Sequence, residues 1–240
     1  MPLALATGCT LAAVPSAWTS TLVLLTLFTI LGASAATFWL LIDRWTARRH
    51  WTALADWGRE QGFRFRQCKE GQAPAPFDAV RPPAPQVQVC MADGQTTILH
   101  LKGPTPSPVE SADPPPHPPI ATPAGDCEWH VLVREIETAW PPTGLRPAAA
   151  RNSVLDLFSL TSFPLLGSTE RFIIYATDSI AATALSRSAA RGLLPPDIGL
   201  LLHGKNLVLD FSSRPFDSIE FERMIVLANQ LVNHMPAPAV

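Results

Sequence analysis

The sequence predicts an α+β protein: one N-terminal transmembrane helix, then a single antiparallel-leaning sheet domain with about two packed helices. Three observations predict it. Residues 17–42 read AWTSTLVLLTLFTILGASAATFWLLI, without one charged side chain. Short β-patterned runs bounded by turn residues fill the middle of the chain. Near the end, apolar residues recur at helical spacing behind a capping signal.

A hydrocarbon core about 30 Å thick needs about 20 apolar residues at 1.5 Å rise, so 17–42 is long enough to span with some tilt. Residues 1–16, uncharged and broken by Pro2 and Pro15, read as a flexible flank. Ala33-Ser34-Ala35 is a fair signal-cleavage site, so an exported domain cut near Ala35 is one alternative. Against it, no basic residue precedes the run, and Phe38, Trp39, Leu40, Leu41 and Ile42 keep it apolar past the site. An uncleaved anchor is therefore preferred. Arg44, Arg48 and Arg49 follow at once. Basic flanks stay cytoplasmic, which predicts an inner-membrane, single-pass topology with the N-terminus out and the C-terminal domain in the cytoplasm.

Residues 43–62 contain no proline and no glycine before Gly58 and the closing Gly62, so the basic flank continues as a juxtamembrane helix. Trp51, Leu54, Ala55 and Trp57 give it an apolar side suited to packing on the domain that follows, 63–235. Phe63-Arg64-Phe65-Arg66 alternates like a first strand. After a Pro-broken loop, 87–92 and 95–101 flank Asp93-Gly94 and read as a hairpin, with Val89 facing Ile98 and Met91 facing Thr96. Residues 102–126 form a Pro-rich insertion with almost nothing apolar to bury. Residues 128–137 are a strand that Trp140-Pro141-Pro142 ends; 145–167 is irregular, with an apolar piece at 154–157; 171–176 is a buried strand. Asp178 caps a helix that Gly192 closes, and 206–212 is a strand after a Gly204-Lys205 turn. Asp217 and Glu220 form a capping box for the last helix, and Phe221, Met224, Ile225, Ala228, Leu231 and Val232 recur at helical spacing before Pro236. Residues 236–240 are a tail.

Charge separates along the chain. The net charge is −2; seven of the 18 basic and three of the 20 acidic residues lie within 43–69, leaving eleven and seventeen beyond. An acidic domain behind a basic flank argues against nucleic-acid binding. Proline, at 25 residues, is about double ordinary usage. Four separated cysteines, Cys9, Cys68, Cys90 and Cys127, make no disulfide framework.

No phosphate loop, zinc-protease helix or nucleophile elbow occurs. Cys90, His100, Cys127 and His130 all fall near the sheet, but zinc needs ligands converging on one point. Strand alternation sends Cys90 opposite to His100 and Cys127 opposite to His130. The same divergence leaves a Cys90 nucleophile without a base. Glu135 and Glu137 read as an exposed strand face, Asp210 as outward by default though a candidate buried acid, and Arg146, Arg151 and Arg171 as surface arginines rather than an anion site. No catalytic, cofactor-binding or metal residue is assigned, and no cofactor is expected.

The run from Gly167 to Val232 contains Glu170-Arg171-Phe172 opening a strand, an Ala- and Leu-rich helix, and Ile219-Glu220-x-Glu222-Arg223 starting the last helix. Together with Leu54-Ala55 and Gly62-Phe63 it resembles uncharacterised bacterial membrane-anchored proteins with a cytoplasmic α+β domain of unknown function. The likeness covers 48–232 without the Pro-rich insertion, which departs from the pattern. It implies a layout and transfers no catalytic residue. The expected role is a non-catalytic interaction module on the cytoplasmic face of the inner membrane, with the lipid bilayer and other membrane or cytoplasmic proteins as partners. The alternative is a membrane-tethered enzyme or small-ligand-binding domain.

Overall fold

The computed structural model describes residues 16–68, 74–77, 80, 85–104, 126–150, 152–158 and 165–235. Most of the Pro-rich insertion and Arg151 lie outside the described residues. The chain divides into two compact units, Met1–Ala53 and Leu54–Val240.

Helix α1 runs Ser16–Glu60, and its residues from Leu54 onward belong to the second unit. In the first unit, Leu24, Leu25, Phe28, Leu31, Phe38, Trp39 and Leu41 are all exposed, on every side of the helix. A helix apolar all round is stable only when something other than water covers it. Its hydroxyls turn inward on the backbone: Thr29 donates to the Leu25 carbonyl at 3.1 Å, Ser34 to Ile30 at 2.7 Å and Thr37 to Ala33 at 3.0 Å. That satisfies polar groups without water. Past the apolar stretch, the Arg49 guanidinium lies 3.7 Å over the Trp45 ring.

The second unit is a seven-stranded sheet, antiparallel at every pairing: β1 (Arg64–Gln67), β2 (Gln86–Ala92), β3 (Thr96–Pro104), β4 (Asp126–Pro147), β5 (Leu165–Ser168), β6 (Phe172–Ala176) and β7 (Gly199–Asp210). The order is β1-β2-β3-β4-β6-β5, with β7 paired to β4. Four further helices join it: α2 (Val154–Leu157), α3 (Ser179–Arg187), α4 (Ala189–Leu193) and α5 (Ser218–His234). The α+β class and the antiparallel sheet are as the sequence predicts.

Strand β4 organises this unit. Residues 131–134 pair with β3 on one edge and β7 on the other, and 143–145 pair with both β6 and β7. The sequence places a stop at Trp140-Pro141-Pro142, but the strand continues through it, with register shifts between Glu135, Trp140 and Thr143. Two adjacent prolines remove ladder donors, and the irregular register absorbs their loss. The expected Gly204-Lys205 turn lies inside β7: Gly204, at φ +57, sits opposite Trp140 in the same irregular stretch. Strand β5 falls in a segment expected to be irregular, and the helix expected to reach Gly192 breaks at Ser188.

The hairpin register also differs by two residues. Met91 pairs with Ile98 and Ala92 with Thr97, so the turn centres on Gly94-Gln95. Asp93 Oδ1 accepts from the Gln95 and Thr96 amides at 3.0 and 2.7 Å, and Gly94 takes φ +101. Aspartate caps the turn while glycine fills its first central position, where φ is positive.

Both sheet faces are filled. On one side Val87, Leu99, Leu101, Trp129, Val131 and Val208 pack with Phe77 and with Val154, Leu155 and Leu157 of α2. Gly144 lets α2 approach: a Cβ there would stand 2.3 Å from Leu155 Cδ2. The other side carries Met91, Ile98, Leu132 and Leu209, all fully buried, with α5 against β4 and β7. The end of α1 joins this layer. Leu54 is buried, the Trp57 ring lies 5.4 Å from Phe221, and Trp57 Nε1 donates to Glu222 at 3.0 Å. Gly62, at φ +84, ends the helix as expected: Phe63 N donates to the Gly58 carbonyl at 2.7 Å and Gly62 N to Arg59 at 3.2 Å, a Schellman closure.

Candidate functional site

Polar chemistry gathers where β3, β4 and the segment between β7 and α5 meet. The β3–β4 register sets His100 directly opposite His130 and Lys102 opposite Glu128. Glu128 stands two residues before His130, so all four side chains leave one face of the sheet. His100 Nε2 is 3.6 Å from Glu128 Oε2, and Lys102 Nζ is 3.8 Å from Glu128 Oε1. The imidazole centroids are 5.1 Å apart, and the Phe216 ring lies 5.2 Å from His100 and 5.0 Å from His130.

His130 is fixed by the backbone around it. Its Nδ1 meets the Arg214 carbonyl at 2.9 Å, and its amide donates to Ser212 Oγ at 3.0 Å. A carbonyl only accepts, so Nδ1 carries the proton and Nε2 keeps its lone pair. Burial lowers the His130 pKa below its ordinary value near 6.5, opposed by the Arg214 carbonyl and by the charges of Glu128 and Asp210. The imidazole is therefore held neutral.

Asp210 is a buried acid, not an outward-facing one. Its Oδ2 accepts from the Val154 amide at 2.7 Å and Ser153 Oγ at 3.2 Å; its Oδ1 accepts from the Ser212 amide at 3.2 Å and Ser212 Oγ at 2.5 Å. One carboxylate thus ties the start of α2 to the turn that holds His130. Ser153 with Asp156 adds a complete capping box at α2. At α5 the expected box forms in one half: Asp217 accepts from the Glu220 amide at 2.9 Å, while the Glu220 carboxylate instead takes Arg214 at 3.1 Å and also pairs with Arg223. Arg214 forks onto Asp197 at 2.7 and 2.8 Å, and this bonding lowers the Asp197 pKa.

The cysteines part from the histidines as alternation requires. Cys90 pairs with Leu99, and Cys127 lies in the Trp129 side of the core. Burial raises the Cys90 thiol pKa above 9.0, with nearby Cys68 raising it further and Arg66 opposing. Glu135 and Glu137 are exposed. Arg146 lies 3.5 Å from Asp156, whereas Arg171 is exposed beside the Phe172 ring. Glu128 was missed by sequence reading; the signal available was its position two residues before His130. Two open depressions, about 290 and 350 Å³, lie along α3 and are lined by Arg171, Ser186 and Arg191 and by Ser179, Ile180 and Arg187.

Thermal stability is expected to hold a plateau between about pH 6.5 and 9 and to fall on both sides. On the acid side the unfolded chain protonates His130 first, so its stabilising contribution, complete above about 6.5, is lost as pH drops towards the lower folded pKa. Asp197 adds a second decline below its ordinary 3.8. On the alkaline side the unfolded chain ionises Cys90 before the folded one does. Melting temperature against pH checks this, with His130→Asn expected to remove the first acid decline.

No family model matches the chain, and no curated protein matches it. Among solved structures it is similar to the crystal structure of the mycobacterial trehalose monomycolate transport factor A, TtfA, at 12% identity and a TM-score of 0.49, covering 80% of this chain and 99% of that one. At that level neither residues nor activity carry across. The layout implied by the bacterial resemblance, an apolar helix ahead of an α+β domain, is present, and membership of a family is not shown.

Proposed function

We propose that this chain is a single-pass protein of the bacterial inner membrane, with its N-terminus outside and its α+β domain acting in the cytoplasm as a non-catalytic module through contacts with other proteins. One observation carries the reading: an α1 stretch whose apolar side chains are exposed on all sides, followed at once by Arg44, Arg48 and Arg49. Among the described residues one helix is long and apolar enough to cross a membrane. The basic flank supports the orientation. Filled sheet faces, with Asp210 and Glu220 engaged in internal bonds, support binding over catalysis. Exposed Ile180, Ile219 and Val226 offer apolar contact surface outside the span.

The test is protease access in spheroplasts expressing the chain with a C-terminal epitope. Protection of the domain until the membrane is permeabilised, with extraction by detergent but not by alkaline carbonate, is expected. Digestion in intact spheroplasts, or a mature N-terminus at Ala36, overturns the orientation and the anchor. A membrane-tethered enzyme or small-ligand binder is the second reading, and the His100–Glu128–His130 cluster is the observation that favours it.

A further inference from the structure

We infer that His100, Glu128 and His130 form a binding site for one divalent transition-metal ion of the Zn²⁺ type. The three residues each offer one ligand atom, and these atoms lie within 4.8 Å of one another. Two imidazoles and one carboxylate are the donor set of zinc sites that keep a fourth position open. Mg²⁺ and Ca²⁺ prefer all-oxygen surroundings and fit it poorly.

Four features argue for a built site. First, the ligands come from two hydrogen-bonded strands in fixed register, so their spacing is set by the sheet. Second, the Arg214 carbonyl on His130 Nδ1 selects the tautomer that presents Nε2, and a backbone carbonyl is a usual outer partner of a metal-bound histidine. Third, Phe216 and Phe211 wall one side, the latter 5.9 Å from His130, while the Glu128 side chain is 53% exposed and leaves the other side open for entry. Fourth, adjustment is small. Bonds of about 2.0–2.1 Å in a tetrahedron set ligand atoms about 3.4 Å apart. The His100–Glu128 separation is already 3.6 Å, and no pair of ligand atoms is more than 4.8 Å apart.

Lys102 gives the site a competitor. Its ammonium, 3.8 Å from Glu128 Oε1, occupies the charge that a metal would take. Removing it should therefore strengthen metal binding, whereas removing a ligand should weaken it. A purely structural cluster would not show these opposite signs.

The experiment uses the full chain in detergent micelles, carrying a histidine-free tag and stripped with EDTA. Zn²⁺ is titrated by calorimetry and Co²⁺ by visible absorption. One equivalent is expected to bind, with a tetrahedral or five-coordinate Co²⁺ spectrum. Glu128→Ala is expected to weaken binding at least about tenfold, the lower end of what even an outer-shell change costs. His130→Gln should abolish it and Lys102→Met should tighten it. If His130→Gln fails to fold, the variants at exposed Glu128 and half-buried Lys102 decide. No saturable binding, an affinity unchanged in Glu128→Ala, or a thiolate-to-Co²⁺ charge-transfer band pointing to the cysteines would each overturn the site.

Discussion

Replacing Asp210 with alanine is expected to destabilise the folded domain by about 3–5 kcal/mol, because several buried donors lose their shared acceptor at once. The reason is the number of donors left behind. The Val154 and Ser212 amides and the Ser153 and Ser212 hydroxyls all point at this one carboxylate. An unsatisfied buried donor costs about 1–3 kcal/mol, and here several are orphaned together. Asp210→Asn is expected to be nearly as damaging. Whichever way its amide turns, the NH₂ group faces a backbone N–H, of Val154 or of Ser212, and neither can reverse its role as the hydroxyls can. Chemical denaturation of the full chain in micelles checks both variants. A loss below about 1 kcal/mol for Asp210→Asn would mean that the carboxylate is not the shared acceptor described.

Phe221→Ala is expected to cost a comparable amount, about 3–5 kcal/mol for truncating a buried phenylalanine in a core that cannot collapse around the gap. Phe221 is fully buried at the start of α5 and holds three rings at once: Phe216 at 4.7 Å, Trp57 at 5.4 Å and Phe211 at 6.2 Å. The loss should spread. Trp57 belongs to the end of α1, and Phe216 backs His100 and His130. Hydrogen exchange is expected to rise at residues 54–60 and at the β3–β4 pair as well as in α5. Phe221→Leu keeps most of the volume and should cost less than half as much, so equal losses in the two variants would point to a cause other than packing.

Signals carried by a few consecutive residues hold in the folded chain. Gly62 ends α1 as read, because a left-handed closure depends on a few consecutive residues. Asp178 and Asp217 cap their helices for the same reason. Asp93 and Gly94 mark a hairpin, but not its register: the aspartate side chain takes two turn amides and moves the pairing by two residues. Glu220 reads as half of a capping box, yet Arg214 and Arg223 claim its carboxylate.

The candidate site was half legible. Period-two alternation separates Cys90 from His100 and Cys127 from His130, since side-chain direction along a strand is a local property. It cannot show that His100 meets His130, because that depends on how β3 and β4 pair across the Pro-rich insertion. Nor does it show that Asp210 is buried, which follows from β7 lying on β4 and α2 closing over it.

By itself, then, the sequence determined the apolar helix, its basic flank, the α+β class and the helix caps. Each rests on residues within a few positions of one another, where periodicity and backbone preference act directly. Only the tertiary structure decided the unbroken course of β4 through Trp140-Pro141-Pro142, the burial of Asp210 and the meeting of His100, Glu128 and His130. These are set by register and layer packing between distant segments, where burial energy outweighs what any single residue prefers.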